Sequence, residues 1–182
     1  ACGTFATAGY GLAGRFLVII FVPCFGLGNT AGTLVGQNLG AHKPERAERS
    51  TRWVSAYAAG YLLVVATLLV LFAAPIIRFF DPTPQVVAIG TQCIRIVAFS
   101  IVVDGIGFVH GRGLAGAGNT APSAVINLLT LWGMEVPIAY ALSRWLGLGV
   151  TGVWWGRAVA NLANGTLFAA WFRRGKWKER EV

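Results

Sequence analysis

An all-α protein embedded in a bilayer is the fold class this sequence predicts, and three observations predict it. Of its 182 residues 55% are apolar and only 12% charged, against roughly 25% charged in an ordinary soluble domain. The apolar residues fall in five blocks of about 20, the length that crosses a bilayer. The blocks are separated by short Pro-, Gly- or charge-rich breaks, which end helices. Disorder, coiled coil and collagen are excluded by the composition, and a soluble globular domain would lack the charge to cover its surface.

The blocks are residues 16–35, 53–72, 86–109, 123–142 and 150–172, each spanning about 30 Å at about 1.5 Å per residue. Between them lie Ala41-His42-Lys43-Pro44-Glu45-Arg46, Asp81-Pro82-Thr83-Pro84, Gly116-Ala117-Gly118-Asn119-Thr120 and Leu146-Gly147-Leu148-Gly149. Five transmembrane helices with short connections are expected, followed by a basic tail over residues 173–182.

Lysine and arginine set the expected orientation. Ten lie on one side: Lys43, Arg46, Arg49 and Arg52 in the first connection, Arg112 in the third, and Arg173, Arg174, Lys176, Lys178 and Arg180 in the tail. Three lie on the other, Arg15, Arg78 and Arg144, while Arg95 and Arg157 fall within spans. The first connection and the C-terminus are therefore expected in the cytoplasm. The net charge of +8 reads as a topology signal rather than a sign of nucleic-acid binding. The chain opens Ala1-Cys2-Gly3 and its only methionine is Met134, so an upstream part is expected to be missing.

Some residues invite readings that their context weakens. Cys2, Cys24 and Cys93 form no C-x-x-C pair, and the last two sit in apolar runs as packing residues. His42 and His110 stand near the membrane boundary with no second ligand at metal spacing. Two glycine patterns, from Gly26 and from Gly111, fit a dinucleotide-binding template that has meaning only between a strand and a helix. Gly28, Gly32, Gly36 and Gly40 repeat every four residues, as do Gly107, Gly111 and Ala115. Small residues at that interval let helix backbones approach closely in lipid, so helix packing is the first expectation, and relative sliding the second. No set of residues for enzymatic catalysis is present, and the chain is not read as an enzyme.

Ionisable residues at membrane depth are few: Arg95, Asp104, Glu135 and Arg157. Each costs at least about 2.5–3.5 kcal/mol to place there, so each should face the bundle interior, pair, or mark an ion or substrate path. Asp104 and Arg95 are nine residues apart, on opposite faces of one helix. A carboxyl withdrawn from water can take up a proton or hold Na⁺ through oxygen ligands, which makes Asp104 the candidate ion-coupling residue. Arg157, Asn161 and Asn164 form one polar stripe, and Thr30, Thr33 and Gln37 another. Glu135 and Arg157 are candidates for a structural ion pair, Arg95 being the other possible partner of Glu135.

Several stretches then resemble one family in order along the chain. Thr33 to Ala47, TLVGQNLGAHKPERA, is similar to the TLVGQNLGAGKPERA signature of the multidrug and toxic compound extrusion (MATE) transporters, and Tyr10 to Arg15 is similar to the stretch leading into that helix. Leu114 to Thr120 resembles the family's LRGAGDT turn, Glu135 to Tyr140 its RLPLAY, and Gly149 to Trp154 its GVWGVW. The resemblance implies spans eight to twelve of a twelve-helix, NorM-like transporter, that is, a C-terminal bundle without its first helix. It also implies an N-terminal bundle of the same protein as partner. Asp104 lies fifteen residues before Asn119, the position of an aspartate that belongs to the cation site of NorM-like members. Ala115 and Asn119 replace the family's Arg and Asp in the turn, and Glu135 stands where the family often has Arg.

What the resemblance implies is part of a secondary-active efflux antiporter, multi-pass in the plasma membrane. It would export amphipathic, often cationic, drugs in exchange for Na⁺ or H⁺ and need no other cofactor. Asp104 would bind the ion, possible Na⁺ included, and Thr33, Gln37, Asn127, Glu135, Arg157, Asn161 and Asn164 would line the cavity. Two rivals stand beside it: a lipid-linked saccharide flippase of the same superfamily, whose cavity would be cationic, and a non-transporting membrane assembly subunit.

Overall fold

The computed structural model describes residues 3–179. Five long helices run antiparallel in chain order: α1 Thr4–Gly40, α2 Pro44–Phe80, α3 Pro84–Gly116, α4 Ala121–Trp145 and α5 Val150–Arg173. A single 3₁₀ turn, Lys176–Glu179, follows. Proline stands in the first turn of α2, α3 and α4, where its missing N–H has no partner to lose. Positive φ at His42 and Gly118 reverses the chain after α1 and α3.

The helices outrun the apolar blocks. α1 and α2 are each 37 residues long. The stretch from Tyr10 to Arg15, expected to lead into a helix, is already helical, and Arg15 sits inside α1 rather than in an outer connection. Arg78 is in the last turn of α2, and Arg112, read as part of the third connection, lies within α3. Arginine carries these helices past the apolar core because its aliphatic stem lies along the helix while its head reaches water. By length and hydropathy α1 to α4 qualify as membrane spans among the described residues. The fifth block forms a continuous helix of 24 residues, but a polar stripe lowers its mean hydropathy. Arg180 and Cys2 lie outside the described residues.

α4 is not uniform. It is α-helical over Ala121–Asn127 and Val136–Tyr140, and π-helical over Leu128–Glu135 and Ala141–Trp145. Pro137 has no N–H to give the Gly133 carbonyl and its ring crowds that carbonyl; the wide turns flank this interruption.

α3 is the axis of the bundle, packed on α1, α2 and α5, whereas α4 rests chiefly on α5. Small residues set the closest approaches. A Cβ on Gly116 would lie 2.1 Å from the Gly32 carbonyl oxygen, and one on Gly107 2.5 Å from the Gly165 Cα. The two glycine repeats thus face different partners: Gly28, Gly32 and Gly36 meet α3, while Gly107 and Gly111 meet α5. Leu62, Ile77, Ile94 and Val109 fill the core between α1, α2 and α3. A second apolar cluster at the basic end joins Val35, Leu39, Leu114, Phe168 and Phe172 to Trp177.

Candidate functional site

On the side of α3 facing α1 and α4, the bundle holds a cavity of about 460 Å³. Asp104 and Arg112 of α3, Asn127 and Thr130 of α4, and Arg157, Asn161 and Asn164 of α5 supply its polar lining. Phe21, Phe25, Phe108 and Phe168 supply its aromatic walls, with Phe25 and Phe108 edge to face at 5.1 Å. A second cavity of about 330 Å³ continues toward Tyr10, Gly14, Cys93 and Val97. Asp104, Arg157, Asn161, Phe21 and Phe25 line both. These residues form a partition between a chamber reaching the basic end, at Arg112, Ala115 and Ser123, and a chamber on the opposite side.

Helical spacing places each polar group. Ser100 and Asp104, four apart, share a face of α3. On α5, Arg157, Asn161 and Asn164 share another, and each has a distinct task. Arg157 Nη1 donates to both carboxylate oxygens of Glu135 at 3.1 Å. Asn161 Nδ2 donates to Ser100 Oγ at 3.0 Å. Asn164 Nδ2 donates to Asn127 Oδ1 at 3.0 Å and to Thr130 Oγ1 at 2.8 Å. Three of these residue pairs join α4 to α5, and one joins α5 to α3. Asp104 is half-buried and makes no ion pair among the described residues.

The structure brings together Asp104, Asn127, Arg157, Asn161 and Asn164, with Glu135 one contact behind the lining. Thr33 and Gln37, expected to line the same cavity, do not: both are exposed on α1 and absent from its walls. Thr33 Oγ1 is taken up by the Asn29 carbonyl at 3.1 Å. The face of α1 that meets the cavity carries Phe21 and Phe25 instead. Glu135 pairs with Arg157, and Arg95 is exposed away from it. Four participants escaped the sequence reading: Ser100, Thr130, Ser123 and Arg112, the last of which donates to Asn29 Oδ1. Ser100 was findable four residues before Asp104, and Thr130 three residues after Asn127.

Among the described residues no three His, Cys, Asp or Glu side chains converge. A cation at Asp104 would therefore draw its other ligands from neutral oxygens. The arrangement offers one carboxylate, a neutralised arginine beside it and amide groups, at the contact between two chambers with aromatic walls.

The MatE family model matches residues 1–141. The chain is 28% identical over 182 residues to the probable multidrug resistance protein NorM of Thermotoga maritima, covering 99% of this chain and 39% of that protein. It is 30% identical over 156 residues to the multidrug resistance protein PmpM of Pseudomonas aeruginosa, covering 84% of this chain and 33% of that one. Its fold matches that of the MATE transporter ClbM, solved in complex with Rb⁺, with a TM-score of 0.91 and 22% identity over 98% of this chain and 42% of that one. The chain thus spans about two fifths or less of the proteins it matches. Its apolar helices, their packing and a family match over most of its length identify it as a multi-pass membrane protein belonging to the MatE family.

Proposed function

We propose that this chain supplies one helical bundle of a secondary-active efflux transporter of the plasma membrane, with its C-terminus in the cytoplasm. The transporter exports amphipathic, often cationic, compounds in exchange for Na⁺ or H⁺, working against a second bundle of the same protein. Asp104 is the ion-binding carboxylate. Asn127, Arg157, Asn161 and Asn164 line this bundle's half of the path, and Glu135 neutralises Arg157. Thr33 and Gln37, on the exposed face of α1, are available to the second bundle instead.

The observation that carries this reading is the position of Asp104, a carboxylate without an ion-pair partner among the described residues, on the wall shared by the two chambers. An ion reaching Asp104 from one chamber can leave through the other when the packing of α1 or α4 changes. The aromatic walls suit a flat, amphipathic cation, and the relatives' names as multidrug resistance proteins support that substrate class. Rb⁺ in the complex with ClbM supports a monovalent cation as one of the transported species. With Arg157 occupied by Glu135, the cavity is less cationic than a pyrophosphate carrier would require.

The test is efflux of a cationic dye from cells that express the complete protein. Asp104→Asn is expected to abolish ion-driven efflux while membrane insertion and expression stay at the parental level. Undiminished efflux would remove Asp104 from the mechanism.

A further inference from the structure

A different groove lies on the opposite side of α3, toward the basic end. α2 and α5 both pack on α3 but scarcely on each other, which leaves a gap of about 550 Å³ with α3 as its floor. Arg52 and Ser55 line one wall, Ile106 and His110 the floor, and Ala169 and Arg173 the other wall. Helical spacing of three or four residues brings each pair to one face.

The groove grades from charge to apolar surface. Arg52 and Arg173, both exposed, stand at its mouth. Ser55 and His110 are buried deeper, with Ser55 Oγ 3.5 Å from His110 Nδ1, and His110 Nδ1 donates to the Ile106 carbonyl at 2.7 Å. Phe172 closes the inner side against the His110 ring, centroids 4.8 Å apart. One carboxylate, Glu48, also lines the groove. It is ion-paired to both Arg52 and Lys178, so three basic side chains face a single acid. Trp53, exposed beside Arg52, is the residue type that marks headgroup depth in a bilayer.

We propose that this groove binds the phosphate headgroup of an anionic glycerophospholipid. Arg52 and Arg173 hold the phosphate oxygens, Ser55 offers a hydroxyl below them, and an acyl chain follows the apolar surface of Ile106 and Ala169. Charge complementarity selects this occupant: a basic pocket between membrane helices attracts anionic headgroups. A neutral zwitterionic lipid would leave the positive excess uncompensated. The site is separate from the Asp104 chambers, shares no lining residue with them, and does not depend on what is transported.

The experiment is native mass spectrometry of the intact protein in detergent, offered equal amounts of phosphatidylglycerol and phosphatidylcholine. Phosphatidylglycerol should be retained in preference, and Arg173→Gln should lower its retention about fivefold, as expected for one basic side chain at the headgroup. Ala169→Trp, which fills the groove and leaves every charge in place, should abolish the preference. Arg78→Gln at the other end should change nothing. Helical circular dichroism identifies any variant that fails to fold, and Arg173→Gln, at the end of α5, carries the test if Ala169→Trp does. Equal retention of the two lipids, or unchanged retention in Arg173→Gln, would overturn the proposal. So would binding of inorganic phosphate with no lipid retained, since that would make the groove a free-anion site.

Discussion

The bundle has two sides built on different physics. Around α3, the helices α1 and α5 meet it at glycines, backbone against backbone, while α2 sets the side chains of Leu62 and Ile77 onto Gly105 and Gly90. α4 meets α5 in two ways. Gly152 and Gly156 bring the α5 backbone against Leu142, Ser143 and Ala139. Beside the cavity α4 relies on hydrogen bonds and charge, Glu135 with Arg157, and Asn164 with Asn127 and Thr130. Most of its large apolar side chains face outward, Trp132 and Trp145 among the most exposed. In lipid, close packing rewards a single geometry, because two backbones that move apart are not compensated by burial elsewhere. Polar links can be exchanged for other polar partners. The frame and the C-terminal part of α4 are therefore specified by shape, and the cavity-facing part of α4 by a few replaceable hydrogen bonds and one ion pair.

The widest separation between the two sides should come from one of the tightest backbone approaches. Gly116→Val puts side-chain atoms against the Gly32 carbonyl, and overpacking of this kind costs about 1–3 kcal/mol or more. Thermal unfolding in detergent should show a large fall in midpoint, while Gly133→Val, in open space on α4, should show almost none. Next comes the ion pair. Glu135→Gln leaves Arg157 without its carboxylate, and because both side chains keep some exposure, at 22% and 43%, the cost should stay near 1 kcal/mol. The double replacement Glu135→Leu with Arg157→Leu should recover that loss in the same assay, although it removes Arg157 from the cavity lining and Glu135 from behind it. Asn164→Ala removes both α4–α5 amide bonds and should cost about 0.6–1.7 kcal/mol, the range for interhelical hydrogen bonds in membranes.

The smallest effect belongs to the basic end. Hydrogen bonding from Lys178 holds the Glu48 carboxyl below the usual carboxylate range. A group with a depressed folded pKa stabilises above its unfolded value and loses that contribution as pH falls through the folded one. The packing of the 3₁₀ turn on α2 should thus weaken only in acid, below the ordinary carboxylate pKa. Glu48→Gln should remove that acid sensitivity, read as the pH dependence of hydrogen exchange at Trp177.

Much of the frame was legible because apolar length and Gly or Pro punctuation are local signals. The five blocks from 16–35 to 150–172 each correspond to a helix, and the glycine repeats correspond to helix contacts. Helix ends were not legible: Arg15, Arg78 and Arg112 look like loop residues to a hydropathy window, yet their stems continue the helix. At the site, Asp104 and the α5 stripe could be read because charge in an apolar run is rare and spacing fixes its face. The faces turned toward the cavity could not. Thr33 and Gln37 share a stripe, but which neighbour a stripe meets is decided by the rotation of α1 on α3, which the Gly32–Gly116 approach sets. The π turns of α4 likewise depend on Pro137 within a packed helix rather than on propensity.

The reach of α1 and α2 has a mechanical consequence. Each has 37 residues, about 55 Å at about 1.5 Å per residue, against roughly 30 Å of hydrocarbon. They are levers whose arms extend well past the lipid. Tilting one by about 10° near its middle would sweep its tip through about 5 Å. A rearrangement hardly larger than a bond length near the middle of either helix would thus be magnified into a displacement of several ångström at the water's edge.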